Sequence, residues 1–224
     1  MRLKEYSLRE KKHARTKIAI MNAFIKRLEK VRFDDISIRQ ICKIVEVSEG
    51  TFFNYFPEKI DIINYYMHLI FLKVVAKARQ DVSQGQYLSL INATFSRLAE
   101  ESLNNNNIVY QMMSLMIIQR ERPKKVAISN LERQIFSPGL QGIDNVEVML
   151  LEDFLKECLI GAVNTGELPK DTKIEDVLVS LVTILGGTLL AAKFAAIKDR
   201  SYHYTRQLQF LWNGLGVNKA LRVK

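Results

Sequence analysis

Two short apolar segments, each preceded by a serine, constrain the fold of this chain more than any other feature. In "ISIRQI", Ser37 is followed three residues later by Gln40, which is the pattern of a capping box at a helix N-terminus. In "VSEGTF", Ser48 holds the same position before a second apolar run. The pattern predicts one helix that ends near Ile44 and another that runs to about Tyr55. Two short helices joined by a turn of three or four residues form a helix-turn-helix.

Helical periodicity also dominates the rest of the chain. Ser7 with Glu10 forms another capping pair, which predicts a basic helix of about 23 residues that ends near Lys30. Pro57 suits the first turn of a fourth helix that extends to about Gln80. Five longer helices are then predicted over 86–103, 107–121, 145–165, 173–197 and 202–214.

The predicted fold class is all-α, with about nine helices. A three-helix helix-turn-helix domain is expected over residues 1–56, joined to an all-helical domain over 57–224. The segment 122–144 is less regular, with room for one short helix. Two further capping pairs predict the helix starts near 145 and 173, namely Asp144 with Glu147 and Thr172 with Glu175.

Positive charge is concentrated at the N-terminal end of the chain. The net charge is +9, and residues 1–32 alone hold 11 Lys or Arg against three acids. A basic patch of this kind indicates contact with a polyanion, with nucleic acid first and an acidic membrane surface second. A merely solvated helix face is the plainer alternative.

The remaining composition indicates a cytoplasmic protein without a membrane partner. The longest uncharged run, residues 177–192, is 16 residues long, short of the roughly 20 that a bilayer-spanning helix needs. We therefore expect a buried helix there. The two cysteines, Cys42 and Cys158, lie in apolar helical patterns, which predicts reduced thiols rather than a disulfide.

The second short helix has two different faces on a helical wheel. Phe52 and Phe56 fall on the same side, which packs against the core. The other side carries small and polar residues with aromatic edges, namely Gly50, Thr51, Phe53, Asn54 and Tyr55. Small residues let a helix approach base edges, Asn and Thr can hydrogen-bond to them, and a Phe edge can pack on a thymine methyl group. The pattern predicts a recognition helix.

The segment "SIRQICKIVEVSEGTFFNYFPEKIDII" resembles the DNA-binding signature of TetR/AcrR-type transcriptional regulators. The matching positions are Ser37, Ile38, Ile41, Val47, Ser48, Gly50, Phe52, Phe53, Tyr55, Phe56 and Lys59. "REKKHARTK" resembles the basic start of the family's first helix, and "TGELPKD" the turn that often follows its seventh helix. Cys42 replaces the common Ala, and Arg32 and Glu46 stand where the family often has Gly. A positive φ at either position would cost about 1 kcal/mol.

The resemblance implies a sequence-specific DNA-binding transcriptional regulator. Repressor is the commoner outcome in that family, with release from the operator by a small apolar or amphipathic effector. The implied DNA contacts are Lys17, Ser37, Arg39, Ser48, Gly50, Thr51, Phe53, Asn54, Tyr55 and Lys59. The alternative is a helix-turn-helix architectural protein that binds DNA without a small-molecule effector.

The resemblance also assigns the rest of the chain to effector binding and dimerisation. One helix-turn-helix contacts only a few base pairs, so sequence-specific binding needs a homodimer on a palindromic operator. The candidate interface residues, in the last two helices, are Leu185, Gly186, Leu189, Phe210 and Leu211. The candidate effector-pocket residues are Phe71, Phe95, Tyr110, Met112, Met116, Phe154 and Cys158. Ordinary core packing is the alternative for each pocket residue, and a simple helix kink is the alternative at Gly186.

No sequence pattern indicates an enzyme. The three histidines, His13, His68 and His203, lack the spacing of metal ligands. The sequence contains no Gly-rich phosphate loop and no GxSxG nucleophile elbow. We therefore expect no catalytic site, no metal and no cofactor.

Overall fold

The computed structural model describes residues 6–104, 106–118, 126–195 and 199–217, and in these ranges the chain is all-helical. The prediction of an all-α fold is confirmed. Two short 3₁₀ turns, at Phe33–Asp35 and Ile143–Asn145, accompany ten α-helices in the described ranges. The helices are α1 Leu8–Leu28, α2 Ile38–Val45, α3 Glu49–Tyr55, α4 Lys59–Gln80, α5 Tyr87–Asn104, α6 Asn106–Ile118, α7 Asn130–Phe136, α8 Leu151–Thr165, α9 Ile174–Phe194 and α10 Arg200–Gly214.

The serine caps that were read from the sequence begin the first three helices. The Glu10 amide donates to the Ser7 hydroxyl at 3.2 Å, and the Glu10 carboxylate accepts from the Ser7 amide at 2.8 Å, which completes the capping box. At α2, only the forward half of the predicted box forms, because the Gln40 amide donates to the Ser37 hydroxyl at 3.4 Å without a reciprocal bond. Ser48 caps α3 by accepting from the Thr51 amide at 3.1 Å.

The predicted start of α8 near residue 145 is wrong. The helix begins at Leu151, and residues 143–145 form a 3₁₀ turn instead. The physical reason is the buried guanidinium of Arg133, which donates to the carbonyl oxygens of Ile143, Asp144 and Val146 at 3.0, 3.2 and 2.6 Å. These three bonds hold the segment in a tight turn, and the α-helix begins only after it.

Two other helix starts also differ from the prediction. Thr172 does not cap α9, because its hydroxyl donates to the Pro169 carbonyl at 2.6 Å and Lys173 occupies the cap position without a side-chain bond. At α10 the cap is Asp199, whose carboxylate accepts from the Tyr202 amide at 2.8 Å, so the helix begins at 200 rather than 202. The predicted helix ends at 121 and 197 lie outside the described residues.

The described chain forms two compact units. The first draws on Met1–Lys73 and Asn104–Val148, and the second on Val74–Leu103 and Met149–Lys224. Helices α1 to α3, α6 and α7 therefore belong to the first unit, and α8 to α10 belong to the second. The domain boundary that we placed between residues 56 and 57 stays a prediction.

In the second unit, the turn that follows α8 supports the start of α5. The Glu167 carboxylate accepts from the Tyr87 amide at 2.8 Å and from the Leu88 amide at 3.0 Å, which caps α5 from 80 residues away. A side chain at Gly161 would place its Cβ 2.4 Å from the Tyr87 ring. Gly161 is therefore required for the close approach of α8 to Tyr87.

Candidate nucleic-acid interface

Helix α3, the predicted recognition helix, is anchored by two of its four aromatic side chains. Phe52 and Phe56 are buried, with exposed fractions of 0% and 2%. Phe56 packs edge-on against Tyr65 of α4, with the ring centroids 5.5 Å apart. The inward placement of Phe52 and Phe56 that the helical wheel predicted is confirmed.

The opposite side of α3 is open to solvent. Gly50 and Asn54 are exposed, and Phe53 is 46% exposed. Phe53 meets Phe52 edge-to-face at 5.3 Å between ring centroids, which restricts the ring that projects outward. Thr51 is half-buried beside them. This face combines an amide, a hydroxyl and an aromatic edge, which are groups that can read base edges in a major groove.

Ser48 and Thr51 share their hydroxyl groups at the start of α3. The Ser48 oxygen accepts from the Thr51 amide, and the two hydroxyl oxygens lie 2.8 Å apart. One of the two hydroxyl hydrogens is used between them, so the other is available to an outside acceptor. Phosphate oxygens and purine N7 atoms are acceptors of this kind.

The turn between α2 and α3 depends on a residue in the left-handed region. Glu46 has φ 59° and ψ 45°, and its amide donates to the Cys42 carbonyl. Arg32, the other position where a Gly was expected, has an ordinary φ of −66°. On α2 itself, Ser37 is half-buried and Arg39 is exposed, so the Arg39 guanidinium is accessible to a phosphate.

The two predicted lysine contacts differ in their surroundings. The Lys59 ammonium donates to the Asp34 carbonyl at 3.2 Å and lies 5.9 Å from the centroid of the Phe33 ring. An ammonium group carries three donors, so Lys59 can still reach a phosphate.

Lys17, by contrast, is held inside the first unit. Its ammonium lies 3.2 Å from Glu132 Oε1, 3.4 Å from the Ala127 carbonyl and 4.2 Å from the centroid of the Tyr65 ring. The Lys17 side chain is 15% exposed and that of Glu132 only 5%. The resemblance placed Lys17 at the DNA, whereas the geometry places it between α1, α4 and α7. The reason is the buried carboxylate of α7, which neutralises the ammonium within the chain.

Two residues of this region were missed by the sequence reasoning. Glu132 caps α7 through Ser129 and also pairs with Lys17, and its signal was readable as the spacing of Ser129 and Glu132 in "SNLE". His13 of α1 meets the Tyr55 ring of α3, with centroids 4.7 Å apart. No sequence pattern predicts that contact, because it joins residues 42 positions apart.

Neither a family model nor a curated protein matches the sequence. Solved structures do match the fold. FadR of Thermus thermophilus, a TetR-family transcriptional repressor in complex with lauroyl-CoA, is 20% identical and has a TM-score of 0.63, with 93% of this chain and 99% of that chain covered. A TetR transcription regulator of Haloarcula marismortui is 17% identical, with a TM-score of 0.56 and coverage of 90% and 96%. GusR of Salmonella enterica is 18% identical, with a TM-score of 0.55 and coverage of 90% and 95%.

The chain has the fold of TetR-family regulators. In this TetR-family fold, α3 and its exposed side lie in the first compact unit, together with α1, α2, α6 and α7.

The predicted effector-pocket residues of the TetR-family fold divide between the two units. In the first unit, Phe71 is buried, Tyr110 and Met112 are half-buried, and Met116 is 53% exposed. The exposure of Met116 shows that this side chain does not line an enclosed pocket in the described conformation. In the second unit, the buried candidates are Phe95, Phe154 and Cys158. Burial raises the pKa of the Cys158 thiol to about 12.

A separate cavity of about 260 Å³ lies in the first unit, between the starts of α1 and α7. It is lined by Tyr6, Arg9, Glu10, His13, Ala14, Ser129 and Leu131. None of the predicted pocket residues lines it. In the described ranges, no group of three or more His, Cys, Asp or Glu side chains could hold a metal ion.

The predicted dimer residues differ in exposure. Leu189 is buried within its own chain, Leu185, Gly186 and Leu211 are half-buried, and Phe210 is 56% exposed. Only 28% of the most apolar window of α9 is buried, so the prediction of a buried helix over residues 177–192 is wrong for the single chain. By length and composition alone, α9 is long and apolar enough to cross a membrane. Its large exposed apolar side chains are Val179, Val182, Leu190 and Phe194.

Proposed function

We propose that the protein is a sequence-specific DNA-binding transcriptional regulator that reads its operator with α3. The observation that carries this proposal is the division of α3 into a buried aromatic side and an exposed side with Gly50, Phe53 and Asn54. The exposed side lies at the basic end of the chain, which favours a nucleic acid over a neutral partner. The TetR-family fold supports the same function.

The proposed contacts separate into base readout and phosphate binding. Asn54 can bond in bidentate fashion to an adenine, and Phe53 can pack on a thymine methyl group. Thr51 and Ser48 offer one hydroxyl donor between them, and the exposed Gly50 leaves room for close approach. The proposed phosphate contacts are Ser37, Arg39, Tyr55 and Lys59.

We further propose that the protein binds a palindromic operator as a homodimer. We also propose that it is cytoplasmic, has no membrane partner and is not an enzyme. A single α3 contacts few base pairs, and two copies related by two-fold symmetry double the site that is read. The exposed apolar side chains of α9 and the exposed Phe210 of α10 supply a surface for such pairing.

The proposed effector is a small apolar or amphipathic molecule whose binding releases a repressor from DNA. The similar FadR carries lauroyl-CoA, which has an apolar chain and a charged head. The buried candidates Phe95, Phe154 and Cys158 of the second unit stay the proposed pocket residues there. A thermal-shift series with lauroyl-CoA and shorter acyl-CoA compounds tests this step. A bound effector raises Tm, whereas no shift with any acyl-CoA favours an effector-independent architectural protein or an effector of another class.

The test of DNA reading is selection of bound fragments from random genomic DNA with the purified protein. We expect a palindromic sequence to be enriched. Asn54→Ala should then weaken binding to that sequence by about 1–3 kcal/mol, with little change on unrelated DNA. Lys59→Ala should weaken binding to both DNAs alike and lower the slope of log affinity against log salt by about 1. Failure to enrich any sequence, or equal effects of the two variants on both DNAs, would contradict the proposed readout.

A further inference from the structure

We propose that His13 is a positioning residue that holds Tyr55 against a DNA phosphate, an inference that rests on the proposed DNA-binding function. His13 lies in the first half of α1, and Tyr55 is the last residue of α3. Their ring centroids are 4.7 Å apart, with an angle of 46° between the ring planes. This contact joins the basic helix to the end of the recognition helix.

The Tyr55 ring is supported while its hydroxyl is left available. The residue is half-buried, and within the described ranges no hydrogen bond involves its hydroxyl. In the described ranges the hydroxyl is not one of the buried polar atoms that lack a hydrogen-bond partner, so it is accessible to solvent. A phenol in this condition can donate to a phosphate oxygen without breaking an internal bond.

A supporting ring is needed because of where Tyr55 lies. α3 is only seven residues long, and Phe56 leaves the helix with φ −137°. The preceding turn restricts χ1 of Tyr55, but no helical residue three or four positions later can pack against its ring, so a contact from another helix helps to fix the orientation of the ring. His13 supplies that contact from α1, and an aromatic pair of this kind contributes to orientation beyond its buried area.

His13 could instead contact DNA directly through a ring N–H, which is the alternative to a positioning role. Arg9 lies one turn before it on α1, and the Glu10 carboxylate is held by Ser7. A direct contact would make the contribution of His13 independent of Tyr55. A positioning role makes it depend on the Tyr55 hydroxyl.

The experiment is a double-mutant cycle on the intact protein, with affinity for the selected operator as the readout. Tyr55→Phe removes only the hydroxyl, and we expect affinity to fall about tenfold, as for a lost hydrogen bond to a charged group. His13→Ala should lower affinity about three- to tenfold. In the Tyr55→Phe background, His13→Ala should change affinity by less than about twofold.

A rescue variant and a matched control complete the design. His13→Phe keeps an aromatic ring without the two ring nitrogens, so it should restore affinity to within about twofold of wild type and leave the salt slope unchanged. Asn22→Ala is the control, because Asn22 is exposed and lies nine residues further along α1, on the opposite face of the helix. It should leave operator affinity unchanged.

The outcomes separate this inference from the proposed function. If His13→Ala weakens binding equally with and without the Tyr55 hydroxyl, or if His13→Phe fails to rescue, then His13 does not act through Tyr55 and the inference is overturned. The same holds if His13→Ala has no effect on a wild-type protein that binds its operator. If the wild-type protein binds no DNA at all, the proposed function itself fails and the inference falls with it.

Discussion

At the scale of single residues, Glu46 stands in a backbone conformation that its side chain disfavours. It ends α2 with φ 59°, and the amides of Glu46 and Val47 both donate to the Cys42 carbonyl. This geometry closes the turn into α3. A residue with a Cβ atom in the left-handed region costs about 1 kcal/mol relative to glycine.

We therefore predict that Glu46→Gly stabilises the protein by about 1 kcal/mol, because glycine adopts the observed φ without strain. Arg32→Gly is the matched control: Arg32 has φ −66°, so glycine there only increases the freedom of the unfolded chain and should destabilise by up to about 1 kcal/mol. Urea unfolding of both variants at one fixed protein concentration measures the difference. Changes of the same sign in the two variants would refute the assignment of strain to Glu46.

Helical phase made the burial of individual residues in α3 predictable from the sequence. The burial of Phe52 and Phe56 follows from the helical period of 3.6 residues, which depends only on residues close in sequence. The burial of Lys17 in an internal ion pair was not predictable in this way. Its partner Glu132 is 115 positions away, and only the packing of α7 on α1 brings the two charges together.

At the scale of elements, the starts of α1 and α3 were predictable because their caps are local, whereas the groups that fix α8 and cap α5 are not. Ser7 and Ser48 cap within three residues of themselves. The start of α8 instead depends on Arg133, which takes three backbone carbonyls from the preceding segment. The start of α5 depends on Glu167, which comes from another part of the chain. A short sequence window around either helix start contains neither Arg133 nor Glu167, so local pattern analysis cannot find these two interactions.

The pairing of α1 with α7 gives a prediction at this scale. Glu132→Gln should destabilise the protein by about 2–3 kcal/mol, because it leaves the largely buried Lys17 ammonium without its counter-ion. Glu175→Gln is the control, since the ion pair of Glu175 with Lys156 has side chains that are 69% and 47% exposed. It should cost less than about 1 kcal/mol. Chemical denaturation of the two variants under identical conditions makes the comparison.

A companion variant distinguishes the internal role of Lys17 from a phosphate contact. Lys17→Met should also destabilise the protein, because it leaves the Glu132 carboxylate buried without a cation. In protein that remains folded, the salt slope of DNA binding should be the same as in wild type, since no phosphate contact has been removed. A slope lowered by about 1 would return Lys17 to the DNA interface.

At the scale of the whole molecule, α9 presents an apolar stripe that the described part of the chain leaves exposed. Val179, Val182, Gly186 and Leu190 are spaced by three and four residues, so they lie on one face of the helix. Val179 is 65% and Leu190 is 45% exposed. A Cβ atom added at Gly186 would meet nothing within 4 Å, so packing within the chain does not explain a glycine in the middle of a helix. Close approach of a second copy would explain it.

We predict that Val182→Lys weakens self-association at least about tenfold, because the ammonium would be desolvated at the centre of the stripe. Wild type should have twice the 25.8 kDa chain mass at micromolar concentration, and the variant should approach the single-chain mass, as measured by analytical ultracentrifugation. Ala191→Lys is the control, since Ala191 is exposed on the same helix but about 120° from the stripe. A wild-type chain that is monomeric while it binds the full operator would contradict pairing through α9.

Gly186→Ala tests the same surface, because a paired and an unpaired α9 predict opposite effects on stability and self-association. In an isolated helix, alanine is more favourable than glycine by about 1 kcal/mol, and the open space around Gly186 leaves that gain intact within one chain. If a second copy approaches closely there, the added methyl group lies in the interface and weakens the dimer. We therefore expect Gly186→Ala to raise the dimer dissociation constant, whereas a higher Tm with unchanged association would show that the glycine serves no partner.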